Sequence, residues 1–432
     1  MSEQSERTYR LNLAMMLTDH VSFNIGYTFL GVGTVLPALV HRLGGAPLAV
    51  GLLGVAQQGG WLLPQLAAGR YVANKPLVKK YIIAPSLVGR VILLLVALAV
   101  MAWSVQAPGL ALAMLILGLG GFSVADAASA VGWFSLLGKA IPADRRGRLL
   151  GVAQSLSSLV AVGAGAAVEV VLAHVGYPAN YALLITLATL FMSGSILAML
   201  ILREPRGVGV QDEPHLPWRR YLPSALSILR MDPRFAWLTF TGWLAGLVDM
   251  AGAFYVLYAT ERLQAPESLI GLFVSAGVVG GLVSGLLGPL SDRHGGARVI
   301  ALIMLLRCFC PALALAAPLL ARLHPWLALG GLTLVFLLLG VINGSYLVGA
   351  MHYMLEIAPP GERSTYIALA NTLSGILLLA PLAAGWIVQI ASFEALFTLA
   401  LVAGILALLL ALSGPGWVAA HWYRSAPAGG EG

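Results

Sequence analysis

The sequence predicts an all-α integral membrane protein with twelve transmembrane helices in two six-helix bundles related by a pseudo-two-fold axis. Hydrophobic residues make up 59% of the 432 residues, charged residues only 10%, and the mean hydropathy is +0.88. A soluble domain averages about a quarter charged residues, so this chain has too little charge to cover a water-facing surface. Apolar runs of about 20 or more residues recur, long enough to cross the ~30 Å hydrocarbon core as helices.

These runs define twelve predicted spans, and the chain between them is short and polar. We place the spans at residues 11–40, 47–69, 79–103, 109–137, 147–173, 178–202, 235–260, 267–288, 298–321, 326–355, 364–390 and 392–413. The first ten residues are polar, and the first apolar run follows without a small-residue cleavage site. We therefore expect no signal peptide.

The two halves of the chain resemble each other at an offset of 217–220 residues. The matching pairs are residues 43–47 and 263–266, Gly51 and Gly271, Pro142 and Pro360, and Arg90 and Arg307. Parallel repeats of this kind are related by an axis along the membrane normal. The predicted organisation is an N-terminal tail (1–10), a first bundle (11–202), a linker (203–234), a second bundle (235–413) and a C-terminal tail (414–432).

The basic residues predict the orientation in the membrane. If the N-terminus is cytoplasmic, 20 of the 25 Lys and Arg residues lie in inner segments and three in outer loops, while Arg90 and Arg307 lie within spans. The positive-inside rule then places both termini, the linker and both tails in the cytoplasm. This bias also explains the net charge of +7 without a nucleic-acid partner. We expect an inner-membrane (plasma-membrane) protein.

The loop between predicted spans 8 and 9 carries the most informative motif. It reads Gly288-Pro-Leu-Ser-Asp292-Arg293-His-Gly-Gly-Ala-Arg298. This loop resembles the signature Gly-x-Leu-(Ser/Ala)-Asp-Arg-x-Gly-x-(Arg/Lys) of the major facilitator superfamily. The resemblance implies a secondary transporter working by alternating access, with Gly288, Asp292, Arg293 and Arg298 as a conformational latch. The corresponding loop of the first half, residues 69–76, lacks the Asp.

Ionisable groups inside apolar spans are functional candidates, because they are costly in lipid and usually face a cavity or a partner. The proton-coupling candidates are Asp19, Arg90, Asp126 and Asp249. At ~1.5 Å per residue, the first three share one slab of the first half. We expect Arg90 to pair with Asp126, with Asp19 as a third partner or a separate titrating group; a purely structural ion pair is the competing interpretation. Arg307 either reaches a carboxylate or snorkels toward the inner leaflet.

Other polar and small residues on the spans predict a cavity and close helix packing. The substrate-cavity candidates, each able either to orient a substrate or to bond another helix, are Asn24, Gln57, Gln58, Trp61, Asn343, Tyr346 and Asn371. In span 8, glycines 277, 281 and 285 are spaced by four and predict one tightly packed face. Interfacial solvation explains Glu169, near the outer end of span 5.

Several function classes are disfavoured by what the sequence lacks. It contains no Gly-x4-Gly-Lys-(Ser/Thr) loop, zinc motif or nucleophile elbow, so we expect no ATP-driven step, no enzyme activity, no cofactor and no metal. Cys308 and Cys310 lie two apart in one apolar run and read as packing residues. Span 4 also lacks the Arg, and span 5 the Pro, that many proton antiporters of the superfamily carry.

The leading hypothesis is proton-coupled export of a small amphipathic or hydrophobic molecule, because the predicted cavity spans offer few fixed charges. Uptake of a polar metabolite by symport or facilitated diffusion, lipid or lysolipid flipping, and a non-transporting sensor or scaffold remain alternatives. The partners expected are a small-molecule substrate, protons and membrane lipid, with a monomeric protein.

Overall fold

A computed structural model of the chain describes residues 3–73, 75–205, 228–284, 296–345, 349–350, 352–358 and 363–422. Helices and short connections account for these residues, and no β-strand occurs among them. The predicted all-α class is therefore confirmed. The predicted latch residues Gly288, Asp292 and Arg293, the cavity candidate Tyr346 and most of the predicted linker lie outside the described residues.

The helices of the first half follow the predicted spans in order. They are α1 (Glu3–Leu30), α2 (Val35–Arg42), α3 (Pro47–Leu62), α4 (Gln65–Ala73), α5 (Lys79–Trp103), α6 (Pro108–Ala140), α7 (Ala143–His174) and α8 (Ala179–Ile201). Helix α1 begins inside the predicted tail, where the Nε of Arg10 lies 3.0 Å from Oε1 of Glu6, one helical turn before it. Such an i, i+4 pair favours helix over coil.

Two predicted spans of this half are broken helices. Gly31 separates α1 from α2 and has φ +52°, a left-handed conformation that glycine adopts readily and that commonly ends helices. Pro64 follows the end of α3 at Leu62 and lacks the N–H that a continuing helix would need.

The helices of the second half also follow the predicted spans. They are α9 (Pro233–Asp249), α10 (Phe254–Glu261), α11 (Leu269–Ser284), α12 (Gly296–Leu323), α13 (Pro325–Gly344), α14 (His352–Ile357), α15 (Arg363–Ser374), a 3-10 turn (Gly375–Leu379), α16 (Ala380–Ile390) and α17 (Phe393–Trp422). Asp232 caps α9, since its side chain accepts hydrogen bonds from the backbone N–H groups of Arg234 and Phe235 at 2.9 and 3.2 Å.

Length and hydropathy separate these helices into two groups. Ten segments of the described chain are long and apolar enough to cross a membrane. The other two predicted spans are the broken pair α3 and α4, and the 16-residue α11. The multi-pass helical class is thus confirmed, while the count of twelve crossings stays a prediction.

The chain packs into two compact units. Unit 1 comprises residues 1–212, 253–279 and 381–390, and unit 2 comprises residues 213–252, 280–380 and 391–432. In unit 1, α5 packs against α6 and α8, and α1 packs against α7 and α8. One of its core clusters is built from Met16, Ile82, Leu136 and Met199, each at most 3% exposed. In unit 2, α9 and α12 both pack on α17.

Within unit 1, two glycines allow α3 and α16 to approach closely. A Cβ at Gly51 of α3 would lie 2.9 Å from the Cα of Leu382, and a Cβ at Gly385 of α16 would lie 2.9 Å from the Cα of Leu48. Neither contact leaves room for a side chain, so the backbones themselves touch. Segments from both sides of the predicted linker therefore interlock in this unit.

Of the three glycines predicted to form a packed face on span 8, Gly281 does not pack as predicted, and Gly285 lies outside the described residues. Gly281 has no atom of the described residues within 4 Å of an added Cβ, whereas a Cβ at Gly280 would lie 2.9 Å from the backbone of both Leu337 and Val341 on α13. Spacing by four identifies a face of a helix but not its direction. Consecutive residues are ~100° apart, so a neighbouring glycine can be the one in contact.

Candidate functional site

A buried cluster of charged and aromatic groups lies in unit 1, on α1, α5 and α6. Asp19 of α1 is 5% exposed, and its Oδ2 accepts a hydrogen bond from the indole Nε1 of Trp133 on α6 at 2.6 Å. Arg90 of α5 interacts electrostatically with both Asp19 and Asp126. The structure thus brings together the three first-half candidates that the sequence placed in one slab. It adds Trp133, which the sequence analysis missed.

The expected direct pair between Arg90 and Asp126 is not formed. Arg90 is 3% exposed, its Nη2 donates to the Met192 carbonyl at 3.3 Å, and no ion pair within 4.0 Å joins it to the carboxylate. Its guanidinium carbon lies 5.6 and 6.0 Å from the ring centres of Phe23 and Phe122. The guanidinium therefore has a carbonyl and two aromatic rings as its close neighbours, and no salt bridge to Asp126.

Arg90 also keeps unused hydrogen-bonding capacity. Its Nε and Nη1 are buried and have no partner within the described part of the chain, and the same holds for Nε2 of the nearby His20. The His20 ring centre lies 6.4 Å from that of Trp133. Buried polar groups are normally hydrogen-bonded, so the unpartnered nitrogens of Arg90 mark a place for water or a ligand.

The other first-half cavity candidates have separate environments. The side chain of Asn24 donates to the His20 carbonyl at 2.8 Å, so it bonds its own helix. The amide of Gln57 donates to the hydroxyl of Tyr27 at 3.1 Å. Gln58 is exposed and Trp61 is partly buried. Tyr27 had no distinguishing sequence signal, and it interacts electrostatically with Asp126, which connects this pair to the buried cluster.

The second-half candidate Asp249 lies in unit 2 and forms an ion pair with Arg307. The Nε of Arg307 donates to Oδ1 at 2.9 Å and the Nη2 donates to Oδ2 at 2.8 Å, a bidentate geometry. The side chain of Asp249 is 41% exposed and that of Arg307 is 14% exposed. Of the two interpretations of Arg307 left open by the sequence, reaching a carboxylate is the one observed.

This ion pair stands on the wall of a cavity of ≈ 280 Å³ in unit 2. The cavity is mainly aliphatic, with wall residues that include Leu238, Ala245, Ile300, Ile303, Met304 and Leu377. Among the amides predicted for a substrate site, Asn371 lines it, whereas Asn343 is exposed at the end of α13. Thr241 also lines the cavity. Its hydroxyl is buried and has no partner within the described residues.

A further polar cluster, which we call the outer ionic cluster, lies in unit 1 on the predicted outer side. The Nδ1 of His41 is 2.9 Å from Oε1 of Glu261. The Nε of Arg42 lies 3.6 Å from Oε1 of Glu267. The Tyr181 hydroxyl donates a hydrogen bond to Oε2 of Glu267 at 3.0 Å. No sequence pattern identifies this cluster, because each member is of an ordinary loop or interface residue type.

Of the predicted latch, only Arg298 is described. It lies on α12 with an exposed side chain. No group of three or more His, Cys, Asp or Glu side chains suited to a metal occurs in the described part of the chain.

Comparison with known proteins adds family evidence. A family model described as Major Facilitator Superfamily matches residues 21–377 and 248–421. Curated relatives include uncharacterized proteins of Mycobacterium tuberculosis and Mycobacterium bovis, each 26% identical over 261 residues, 60% of this chain and 49% of the relative. The chain therefore spans about half the length of the curated relatives it matches.

Similar solved structures agree on the fold. The nucleoside transporter NupG has a TM-score of 0.65 at 13% identity, over 94% of this chain and 99% of that one. A bacterial homologue of the iron transporter ferroportin in an inward-facing state has a TM-score of 0.67 at 17% identity, over 94% and 98%. A bacterial homologue of the human lysosomal transporter Spinster has a TM-score of 0.59 at 13% identity, over 98% and 97%. At these identities the likeness is one of fold.

Proposed function

Because the chain belongs to the major facilitator superfamily, we propose that it is a secondary transporter that exports a small amphipathic or hydrophobic organic molecule in exchange for protons. Ten apolar segments of the described chain are long enough to cross a membrane, which suits a multi-pass protein of the inner membrane. Alternating access between two states, as the family resemblance implies, would move the substrate. Both termini are proposed to be cytoplasmic, from the distribution of basic residues.

The observation that carries the proposal is the charge balance of the buried cluster in unit 1. One guanidinium, that of Arg90, interacts with two carboxylates, those of Asp19 and Asp126. If both carboxylates are ionised, one negative charge is left without a matching cation. An uncompensated buried charge costs several kcal/mol, so a proton on one carboxylate relieves the imbalance. This arrangement supports a proton-binding role for the pair.

Coupling does not require the proton and the substrate to touch. If protonation of Asp19 or Asp126 favours one state and the substrate favours the other, each ligand weakens the binding of the other. Such coupling is reciprocal and typically amounts to ~1–3 kcal/mol, a factor of about 5–150 in affinity. Substrate binding would then release protons, as antiport requires.

The cavity in unit 2 supports a weakly polar substrate. Its wall is mainly aliphatic, and Asn371 is the one predicted amide among its lining residues. Besides Asn371 and the Asp249–Arg307 pair, the polar side chains of the wall are Thr239, Thr241 and Ser374. A metabolite that is polar all round would leave groups unpaired against the aliphatic part of the wall, which costs free energy. Uptake of such a metabolite is therefore the less supported alternative.

Transport in inside-out membrane vesicles tests the proposal. A fluorescent amine that is quenched in the acidified lumen reports proton loss when a compound that stabilises the purified protein is added. We expect recovery of fluorescence with the wild type, none with Asp19→Asn, and wild-type recovery with Glu6→Gln, which removes an exposed carboxylate. Transport that continues at the same rate after an ionophore collapses the proton gradient would contradict proton coupling and favour facilitated diffusion.

A further inference from the structure

The charged side chains on the wall of the cavity in unit 2 form an ion pair with each other. Among the described residues of its wall, Asp249 and Arg307 are the charged ones, and each carboxylate oxygen accepts one N–H from the guanidinium. The rest of the lining is aliphatic or neutral and polar. The wall therefore presents strong dipoles to a ligand but no net charge.

This pairing disfavours a charged ligand. An ammonium group would need the carboxylate while Arg307 still holds it, and a carboxylate group would compete with Asp249 for the guanidinium. In either case one charge would be left without a full partner in a largely apolar space, which is costly. A neutral ligand leaves the pair intact.

The same pair can still bind a neutral polar group. An ionised carboxylate has about four lone-pair sites and a guanidinium has five N–H donors, so the two hydrogen bonds observed leave capacity on both. Asp249 is 41% exposed and so presents free acceptor sites. A hydroxyl or amide group can donate to the carboxylate and accept from the guanidinium at once.

Two further observations point to a ligand in this space. The hydroxyl of Thr241, which lines the cavity, is 1% exposed and has no partner among the described residues. A buried hydroxyl without a partner normally bonds a water or a ligand. The volume of ≈ 280 Å³ equals that of about nine liquid water molecules at ~30 Å³ each. It suits a molecule of roughly ten non-hydrogen atoms.

We propose that the cavity of unit 2 binds a neutral organic molecule of roughly ten non-hydrogen atoms, whose hydroxyl or amide group contacts the Asp249–Arg307 pair. The apolar body of the molecule lies against Leu238, Ile300 and Ile303. This inference names the substrate class of the proposed exporter and so rests on the proposed function.

A matched set of three probes tests it. They are 3-phenylpropan-1-ol, 3-phenylpropan-1-amine and 3-phenylpropanoate, which share one body and are neutral, cationic and anionic at pH 7. Binding to the full chain in phosphatidylcholine nanodiscs is measured by equilibrium dialysis of the radiolabelled probes, with empty nanodiscs as the partition control. We expect saturable binding of the alcohol, at least tenfold tighter than that of either charged probe.

Substitutions test separately whether the probe binds in this cavity and whether the ion pair sets its charge selectivity. Ala245→Phe fills the cavity and should weaken alcohol binding at least tenfold, while Leu409→Phe on an exposed face should leave it unchanged. Breaking the pair should invert the selectivity: Arg307→Gln leaves a carboxylate and should favour the amine, and Asp249→Asn leaves a guanidinium and should favour the carboxylate probe.

The inference is overturned if the alcohol shows no saturable binding, if a charged probe binds the wild type as tightly, or if the cavity-filled variant binds like the wild type. Proton release measured on the same samples separates this outcome from failure of the proposed function. Alcohol binding without proton release leaves the cavity assignment standing and removes proton coupling. If instead a charged probe causes proton release, proton coupling stands and the assignment of the cavity to a neutral ligand falls.

Discussion

The Asp249–Arg307 pair predicts an asymmetric cost when either partner is neutralised. Asp249→Asn leaves a guanidinium that is 14% exposed, while Arg307→Gln leaves a carboxylate that is 41% exposed and can be rehydrated. Removing one partner of a fully buried pair costs about 3–5 kcal/mol, and exposed pairs are worth about 0.2–1 kcal/mol. Between these limits, we expect a loss of about 2 kcal/mol for Asp249→Asn and about 1 kcal/mol for Arg307→Gln.

The double variant isolates the interaction itself. With no charge left unpaired, it should lose less stability than the two single variants together, with a coupling free energy of about 1–2 kcal/mol in a double-mutant cycle, within the range found for contacting residues. Unfolding in mixed micelles, titrated with a denaturing detergent, gives the free energies of all four proteins. Two results would contradict this expectation. One is a larger loss of stability for Arg307→Gln than for Asp249→Asn. The other is a double variant whose loss equals the sum of the losses of the two single variants.

Four other substitutions test three separate parts of the structure. Gly280→Ala should destabilise the protein by about 1–3 kcal/mol through overpacking, while Gly281→Ala should be neutral or stabilising, and equal unfolding midpoints would refute the packing assignment. Trp133→Phe removes the N–H donor to Asp19, a hydrogen bond to a charged group worth about 1.5–3 kcal/mol, so the free energy of unfolding should fall by about that amount; an unchanged unfolding midpoint would count against this bond. Glu267→Gln should lower the free energy of unfolding by no more than about 1 kcal/mol, since its ion pair is partly exposed. A larger loss of stability in thermal unfolding would contradict this expectation for the outer ionic cluster.

Much of the fold could be predicted from the sequence, because its cause is local. Apolar runs long enough to cross a bilayer predicted helices close to those observed. The breaks were missed at Gly31 and Pro64, because a run of apolar residues reads as one span even where the backbone changes direction.

The candidate site was predictable only in part. A charge inside an apolar run stands out, so Asp19, Arg90, Asp126 and Asp249 could be selected from the sequence alone. Their partners could not, because partners are decided by tertiary geometry.

Trp133 illustrates the limit, since one indole among ten tryptophans carries no sign that it will donate to Asp19. Arg307 shows that a conspicuous residue can also have an unpredictable partner. Its charge was conspicuous, but its partner lies 58 residues away on another helix, a pairing that no spacing rule provides.

The proposed proton coupling requires that the carboxylates of Asp19 and Asp126 exchange a proton when the transporter binds its substrate. The most direct measurement is proton release in weakly buffered detergent solution when a stabilising ligand is added to the wild type, Asp19→Asn and Asp126→Asn. We predict release from the wild type and loss of the signal in at least one variant, with ligand binding retained. Binding without proton release in all three proteins would contradict the claim and leave Asp19, Asp126 and Arg90 as a structural cluster.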